Sequence, residues 1–154
     1  MLMSIVACSS SSMPPVARAT AIAGGCGKTP IYLGSEPAWL TQAGANNNPK
    51  DVPYVIADPP IAAGFLFSYP LRSGPPNDPG NKILWVVDRP RGGHDLVING
   101  HPLNAATPVI SGLFPDNSGP GEIYPSGVDA PSSGCWHFDL TWGANHTSVE
   151  LNYA

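Results

Sequence analysis

Charged side chains are scarce in this sequence, at 12% of its 154 residues, whereas a typical globular protein has about 25%. The seven lysines and arginines are scattered along the chain rather than clustered. Recognition of nucleic acid or of anionic lipid needs a cluster of positive charge. We therefore expect no nucleic-acid partner and no electrostatic attachment to a membrane.

Recognisable catalytic motifs are also missing. The chain has no G-x-S-x-G nucleophile motif, no H-E-x-x-H zinc motif, no C-x-x-C pair and no calcium-loop spacing. The stretch AIAGGCGKTP (21–30) ends like a phosphate-binding loop, but Ile22 stands where the first glycine of that motif belongs. A strand-like run follows it, in place of the helix whose N-terminus would face a phosphate. We expect no nucleotide, no other cofactor and no enzymatic activity.

Residues 1–25 differ in composition from the rest, because a short apolar run gives way to Ser, Pro and Ala, as in a flexible linker. Within them, Ile5 to Cys8 resembles the lipobox of bacterial lipoproteins, in which the cysteine becomes the lipid-bearing N-terminus. A charged region and a longer apolar region should precede a lipobox. Either the signal begins upstream of Met1, or Cys8 is there by chance. We favour the first, which predicts an extracytoplasmic location and a lipid anchor at Cys8 as the one membrane contact.

Glycine and proline are abundant, with 17 and 19 residues, and hydrophobic residues recur with a period of two rather than 3.6. Residues 65–71 place Phe65, Phe67, Tyr69 and Leu71 on one face of a strand, whereas 83–87 are apolar on both faces, as in a central strand. Residues 81–100 and 134–154 each read as a hairpin. These patterns predict an all-β domain over residues 26–154, an antiparallel Ig-like β-sandwich of about seven strands. A small β-barrel is the alternative.

The chain has three cysteines. With Cys8 assigned to the lipid, Cys26 and Cys135 are left as a candidate disulfide, and two unrelated buried thiols are the alternative. Trp136 and Phe138 share one face of their strand, so Cys135 points to the other. A bond at Cys135 would therefore lie on the outer side or end of a sheet, and not cross the core as in antibody domains. The chain-entropy model gives such a long loop about 4 to 5 kcal/mol.

Two longer stretches carry a family resemblance. ILWVVDRPRGGHDLVINGHPL (83–103) followed by PSGVDAPSSGCWHFDLTWGANHTSVELNY (125–153) resembles a group of uncharacterised bacterial secreted proteins and lipoproteins. Those chains have a Leu-Trp strand, an I-x-G-x-x-L strand and a final Gly-Cys-Trp strand with a hairpin. The resemblance covers roughly residues 26–154. It implies an exported Ig-like sandwich in which a cysteine near the start pairs with that of Gly-Cys-Trp, and it implies no activity.

Candidate site residues are few. His137 and Asp139 lie two apart on the outward face of one strand, where His94 or His101 from a neighbouring strand would complete a metal site or an acid/base pair. The alternative is a solvated sheet face, whose alternation requires polar residues there in any case. Trp39 is the tryptophan we expect to be exposed, and an exposed tryptophan is suited to stacking on a sugar.

Three functions are consistent with this sequence, in decreasing order of preference. The first is a non-enzymatic domain of the cell envelope, whose partner would be another envelope protein. The second is a binding module for carbohydrate or another ligand, and the third is a hydrolase or metalloenzyme using His137 and Asp139. A sandwich fold does not choose among them, since it supports many unrelated functions.

Overall fold

In the computed structural model, which describes residues 18–45, 50–75 and 80–154, the chain forms two antiparallel β-sheets that pack face to face. The ten strands are β1 (Thr20–Cys26), β2 (Thr29–Leu33), β3 (Tyr54–Ile56), β4 (Ala62–Leu66), β5 (Lys82–Val87), β6 (Leu96–Pro102), β7 (Ile110–Phe114), β8 (Ile123–Gly127), β9 (Gly134–Trp142) and β10 (Asn145–Tyr153). The larger sheet has the order β1-β2-β3-β4-β5-β8 and the smaller one β10-β9-β6-β7.

This architecture confirms the predicted antiparallel β-sandwich. Neither sheet closes on itself among the described residues, so the alternative of a small barrel is wrong. There are ten strands rather than about seven, because strands as short as β3, with three residues, leave too brief an alternation to be recognised.

The core between the sheets is built from the inward faces of both. The hairpin of β9 and β10 follows its predicted pattern: Trp136, Phe138, Leu140 and Trp142 are buried, and the residues between them are partly exposed. Opposite them lie inward side chains of β5, of which Trp85 is fully buried. The period-two pattern of β9 thus fixes which side chains face the core and which remain outside.

The larger sheet also has a covered outer face. A short helix, α1 (Ala38–Leu40), and the π-helical segment that follows it (Thr41–Ala45) accompany a second apolar cluster that includes Leu40, Tyr54 and Phe65. Every residue of β4 is buried as a result. The expected alternation over residues 65–71 is therefore wrong: β4 ends at Leu66, and Phe67 and Tyr69 are exposed beyond it.

The hairpin expected over residues 81–100 is also wrong. β5 pairs with β4 and β8 in the larger sheet, whereas β6 pairs with β7 and β9 in the smaller one. The eight residues 88–95 between the two strands carry the chain from one sheet to the other. A loop of that length is not restricted to the tight turn that a hairpin would need.

The first strand begins at Thr20 and pairs with β2, so part of residues 1–25, predicted as a linker, belongs to the sheet. Cys8, the predicted lipidation site, lies outside the described residues. Within the described part of the chain, no helix has the length and apolar character needed to cross a bilayer.

Candidate functional site

The loop that resembles a phosphate-binding loop encloses a carboxylate of its own chain. The backbone N–H of Lys28 donates to Glu150 Oε2 at 2.5 Å, and the Thr29 hydroxyl lies 3.4 Å from the same oxygen. In return, the backbone N–H of Glu150 donates to Thr29 Oγ1 at 2.9 Å. The glycine-rich turn is followed by the strand β2 and not by a helix. The Lys28 N–H and the Thr29 hydroxyl, which a phosphate would contact, already contact Glu150.

Glycine is required at the centre of this turn. Gly27 has a φ of +56°, in the left-handed region that residues with a Cβ adopt at a cost. A Cβ at this position would also lie 2.6 Å from Glu150 Oε2, so the carboxylate would have to move. The conformation of Gly27 and the position of Glu150 therefore depend on each other.

A disulfide joins Cys26, at the end of β1, to Cys135, in β9, with Cα atoms 5.8 Å apart. Both cysteines are half-buried, and neither belongs to the core clusters. The predicted pairing and its position on the outer side of the smaller sheet are thus confirmed. The bond brings the turn at Gly27 onto the face that carries His137.

His137 lies in the middle of this outer face. It is opposite Glu150 on β10 and His101 on β6. Its Nδ1 lies 3.6 Å from Glu150 Oε1, and its ring centroid lies 5.3 Å from that of His101. His101 Nδ1 lies 2.8 Å and 2.9 Å from the carbonyl oxygens of Pro102 and Ala105. Both of these are acceptors, so that nitrogen carries the hydrogen of the His101 ring.

Asp139 connects two histidines of the hairpin. Its Oδ1 lies 3.5 Å from His137 Nε2 and 3.0 Å from His146 Nε2. His94 is not part of this group, because its ring packs against Gly143 in the turn between β9 and β10. Of the two histidines considered as neighbours of His137, the structure therefore brings His101 to it and leaves His94 apart.

These side chains form a series of pairwise contacts rather than a set of metal ligands. In residues 18–45, 50–75 and 80–154, no three His, Cys, Asp or Glu side chains are grouped closely enough to hold a metal ion. The same part of the chain shows no hydrogen bond from a serine hydroxyl to a histidine ring. The hydroxyl of Ser148, which lies on β10, instead donates to the carbonyl oxygen of Asp58 at 3.3 Å.

An open groove of about 450 Å³ runs between the turn at Gly27 and strand β10, and we refer to it as the edge groove. It is lined by Lys28, Thr29, Pro30, Tyr32, Ile56, Ala57, Asp58, Pro60, His137, Ser148 and Glu150. Its walls combine the ring of Tyr32, two prolines and several hydrogen-bonding groups. This composition suits a small polar ligand that also has an apolar face.

The backbone edge of β10 is covered along this groove. Ser148 and Asp58 exchange two backbone hydrogen bonds, of 2.9 Å and 3.1 Å. Further along, the N–H of Ala154 donates to the carbonyl of Leu71 at 2.9 Å. Together with the contacts of Glu150 to the turn, these bonds leave β10 a protected edge. We refer to this edge and the segments that cover it as the closed side.

Trp39 does not contribute to the groove. It lies in α1, half-buried against the cluster on the outer face of the larger sheet. The expectation that this tryptophan is exposed is therefore wrong, because apolar residues of the short helix, including Leu40, pack against the larger sheet and bring Trp39 onto it. The aromatic side chain that the groove does present is Tyr32.

Sequence reasoning missed Glu150, Lys28 and His146. The hairpin register pairs Glu150 with His137, and that register follows from the turn at residues 143–144, so Glu150 could have been found from the sequence. The approach of Lys28 depends on the disulfide and could not. Comparisons of this chain with protein-family models, curated proteins and solved structures found no match.

Proposed function

We propose that this chain is an exported domain of the cell envelope, tethered through Cys8, that works by binding a partner and not by catalysis. The observation that carries the proposal is the bond between Cys26 and Cys135. Disulfides persist in oxidising compartments and are rare in the cytosol. The Ser-rich sequence after Cys8 and the resemblance to secreted proteins and lipoproteins support the same location.

The contacts of the outer face favour binding over catalysis. Glu150 is held by the turn, and its other oxygen faces His137. Asp139 is shared between two histidines. Groups that already satisfy one another hold a surface in a fixed shape, which is what recognition of a partner requires.

The test is to express the gene with its upstream codons in a bacterial host and to map each cysteine by mass spectrometry without reduction. We expect a crosslinked peptide joining Cys26 to Cys135 and a diacylglyceryl group on Cys8. Free thiols at Cys26 and Cys135 in the mature protein would contradict export. An intact disulfide with an unmodified Cys8 would retain export and remove the anchor.

The edge groove favours a second candidate, a carbohydrate-binding module. Sugars are recognised by an aromatic or apolar surface together with hydrogen-bonding side chains, and the groove offers Tyr32 and Pro60 beside Asp58 and His137. Binding would be measured across a glycan panel with the wild type, Tyr32→Ala and the control Trp39→Ala. We expect Tyr32→Ala to weaken binding and Trp39→Ala to leave it unchanged. Flat curves for the wild type across the panel would eliminate this candidate.

A further inference from the structure

The two sheets have four edge strands, β1, β8, β10 and β7, and three of them are protected against pairing with another strand. The edge of β10 is covered on the closed side. In β1 the pairing register is irregular between Ile22 and Cys26, and the carbonyl of Ala23 accepts the Tyr69 hydroxyl at 2.7 Å. Bulges and covering groups of this kind block the addition of a strand.

β8 is protected by a proline. Two backbone hydrogen bonds at the ends of β8 show which of its residues bond to β5: Val87 N–H donates to the Glu122 carbonyl, and Val128 N–H donates to the Asn81 carbonyl. Because the bonding direction alternates along a strand, the even-numbered residues of β8 bond to β5. Pro125 therefore lies where an outward N–H would be, and it has none. The outward carbonyl of Ile123 accepts a bond of 3.0 Å from Arg91 Nη1.

β7 has no such protection among the described residues. The bond from Leu103 N–H to the Cys135 carbonyl extends the pairing of β6 with β9, so odd-numbered residues of β6 bond to β9 and even-numbered ones to β7. The backbone groups of Ser111 and Leu113 consequently point to the open edge. In the described part of the chain nothing bonds to them.

The exposed side chains along this edge are Val109, Ser111 and Leu113, of which two are apolar and none is charged. Val109 and Leu113 are each 63% exposed, the highest values among the large hydrophobic residues described. Residues 102–115 contain no Asp, Glu, Lys or Arg. An edge strand is normally blunted by charge or proline, and β7 itself has neither.

We propose that β7 is the interface of a symmetric homodimer, in which the β7 strands of two copies pair antiparallel and join the two smaller sheets into one. The occupant is a second copy because the edge is complementary to itself. With Ser111 on the twofold axis, Leu113 of each copy faces Val109 of the other, and the outward backbone groups of Ser111 and Leu113 supply the hydrogen bonds of the pairing. Such a pairing brings identical surfaces together. Two copies of the chain repel each other, because each has a net charge of −4. This repulsion is weakest where the contact surface itself carries no charge.

The interface is small, which sets the expected strength. A strand of five residues spans about 17 Å, and an interface made of two such strands falls below the roughly 1,200 Å² of stable complexes. We therefore expect a weak, concentration-dependent dimer of the full chain with its disulfide formed.

The first experiment is sedimentation equilibrium from micromolar to millimolar protein, with Ser111→Pro as the test variant. Proline removes the outward N–H at the centre of β7 and no bond to β6, so the fold is retained. We expect the wild type to dimerise and Ser111→Pro to associate at least about tenfold more weakly. The control is Phe67→Lys, which changes an exposed hydrophobic residue away from β7 and should dimerise like the wild type. A wild type that stays monomeric throughout would overturn the proposal.

The register is tested by disulfide trapping in a Cys8→Ser background. The proposed axis places two copies of residue 111 directly opposite each other, at a Cα separation of about 5.5 Å that suits a disulfide. S111C should therefore crosslink to itself in mild oxidant. N99C is the matched control, because Asn99 is exposed on the same face, one strand further in. Equal crosslinking of the two variants would contradict this pairing.

Discussion

The two edges of the smaller sheet, β10 and β7, are built in opposite ways. β10 is covered by parts of the chain distant in sequence, since Glu150 binds a turn 121 to 122 residues away and Ser148 pairs with Asp58. β7 pairs with its neighbour β6 on one side, and along its other side it exposes the apolar side chains of Val109 and Leu113. One edge is thus closed by the fold, and the other is left for a contact outside it.

The two edges, β10 and β7, also differ in the ionisable side chains around them. The carboxylates and histidines of the outer face lie around β9 and β10, beside the disulfide. Residues 102–115, which include β7, contain no Asp, Glu, Lys or Arg. The closed side thus carries the disulfide and the groups that pair across the outer face, and the open edge at β7 carries the proposed surface for self-association.

Removing the disulfide is the most severe way to break the closed side. The double variant Cys26→Ser/Cys135→Ser should lose about 4 to 5 kcal/mol of unfolding free energy, because the bond closes a loop with a sequence separation of 109. Urea unfolding followed by tryptophan fluorescence measures the loss. Cys8→Ser is the control and should unfold like the wild type. A loss below about 1 kcal/mol would mean that the noncovalent contacts suffice to hold β1.

High pH should destabilise the closed edge β10 and the edge β8 of the larger sheet, since each strand carries a buried tyrosine. Burial raises the pKa of Tyr124, in β8, to about 12, and it raises the pKa of Tyr153, in β10, as well. Both stay protonated in the folded state when an unfolded tyrosine ionises near pH 10. Their contribution is therefore complete below pH 10 and is lost as the pH rises towards 12, by up to about 1.4 kcal/mol per pH unit for the deeply buried Tyr153 and by less for Tyr124.

Unfolding free energies measured at a series of pH values test this expectation. Tyr153→Phe should make the decline between pH 10 and 12 shallower, because it removes one of the two groups. A stability that is flat across this range would contradict the role of the buried phenols.

A pair of glycine variants isolates the contact between the turn and Glu150. Gly27→Ala and Gly92→Ala both place a Cβ at a φ near +60°, which costs about 1 to 2 kcal/mol. Only Gly27→Ala also displaces Glu150, since the nearest atom to a Cβ at Gly92 is 3.7 Å away. Gly27→Ala should therefore cost more by about 1 kcal/mol, as measured by urea unfolding. In a Glu150→Ala background this excess should disappear, and if it persists the excess has another origin.

The smallest effect is expected at the open edge. Leu113→Lys replaces a side chain that is 63% exposed and makes no described hydrogen bond, so unfolding free energy at low protein concentration should change by less than about 0.5 kcal/mol. The same variant should abolish dimerisation, because it sets a charge in the apolar interface. A large loss of stability in the monomer would show that Leu113 supports the fold itself.

The sequence predicted what depends on local alternation. The strict period of two over 134–142 placed Trp136 inside and His137 outside, as the structure confirms, whereas Glu150, the cross-strand partner of His137, was not predicted. The passage between β5 and β6 was mistaken for a hairpin, because a turn-rich loop has the same composition whether the chain returns to the same sheet or crosses to the other. The environment of Trp39 was missed since it depends on strands distant in sequence.

The candidate site likewise combines contacts that follow from local sequence with contacts between residues distant in sequence. Asp139, His137 and Glu150 lie on one hairpin, and their neighbourhood follows from its register. The approach of Lys28 requires the disulfide and the order of strands in the larger sheet, and no periodicity in the sequence carries that information. The bare edge of β7 becomes evident only when the bonding directions of β6 and β9 are known.

The disulfide also determines how the domain would bear mechanical load. Pulling between the start of the chain and Ala154 transmits force along β1 to Cys26, then through the sulfur atoms to Cys135 and into β9. The intervening chain, a separation of 109 residues, lies outside this covalent path and does not come under tension. A domain pulled at its two ends could therefore lengthen only by the extension of its terminal strands β1, β9 and β10, and the strands between the two cysteines would not be stretched.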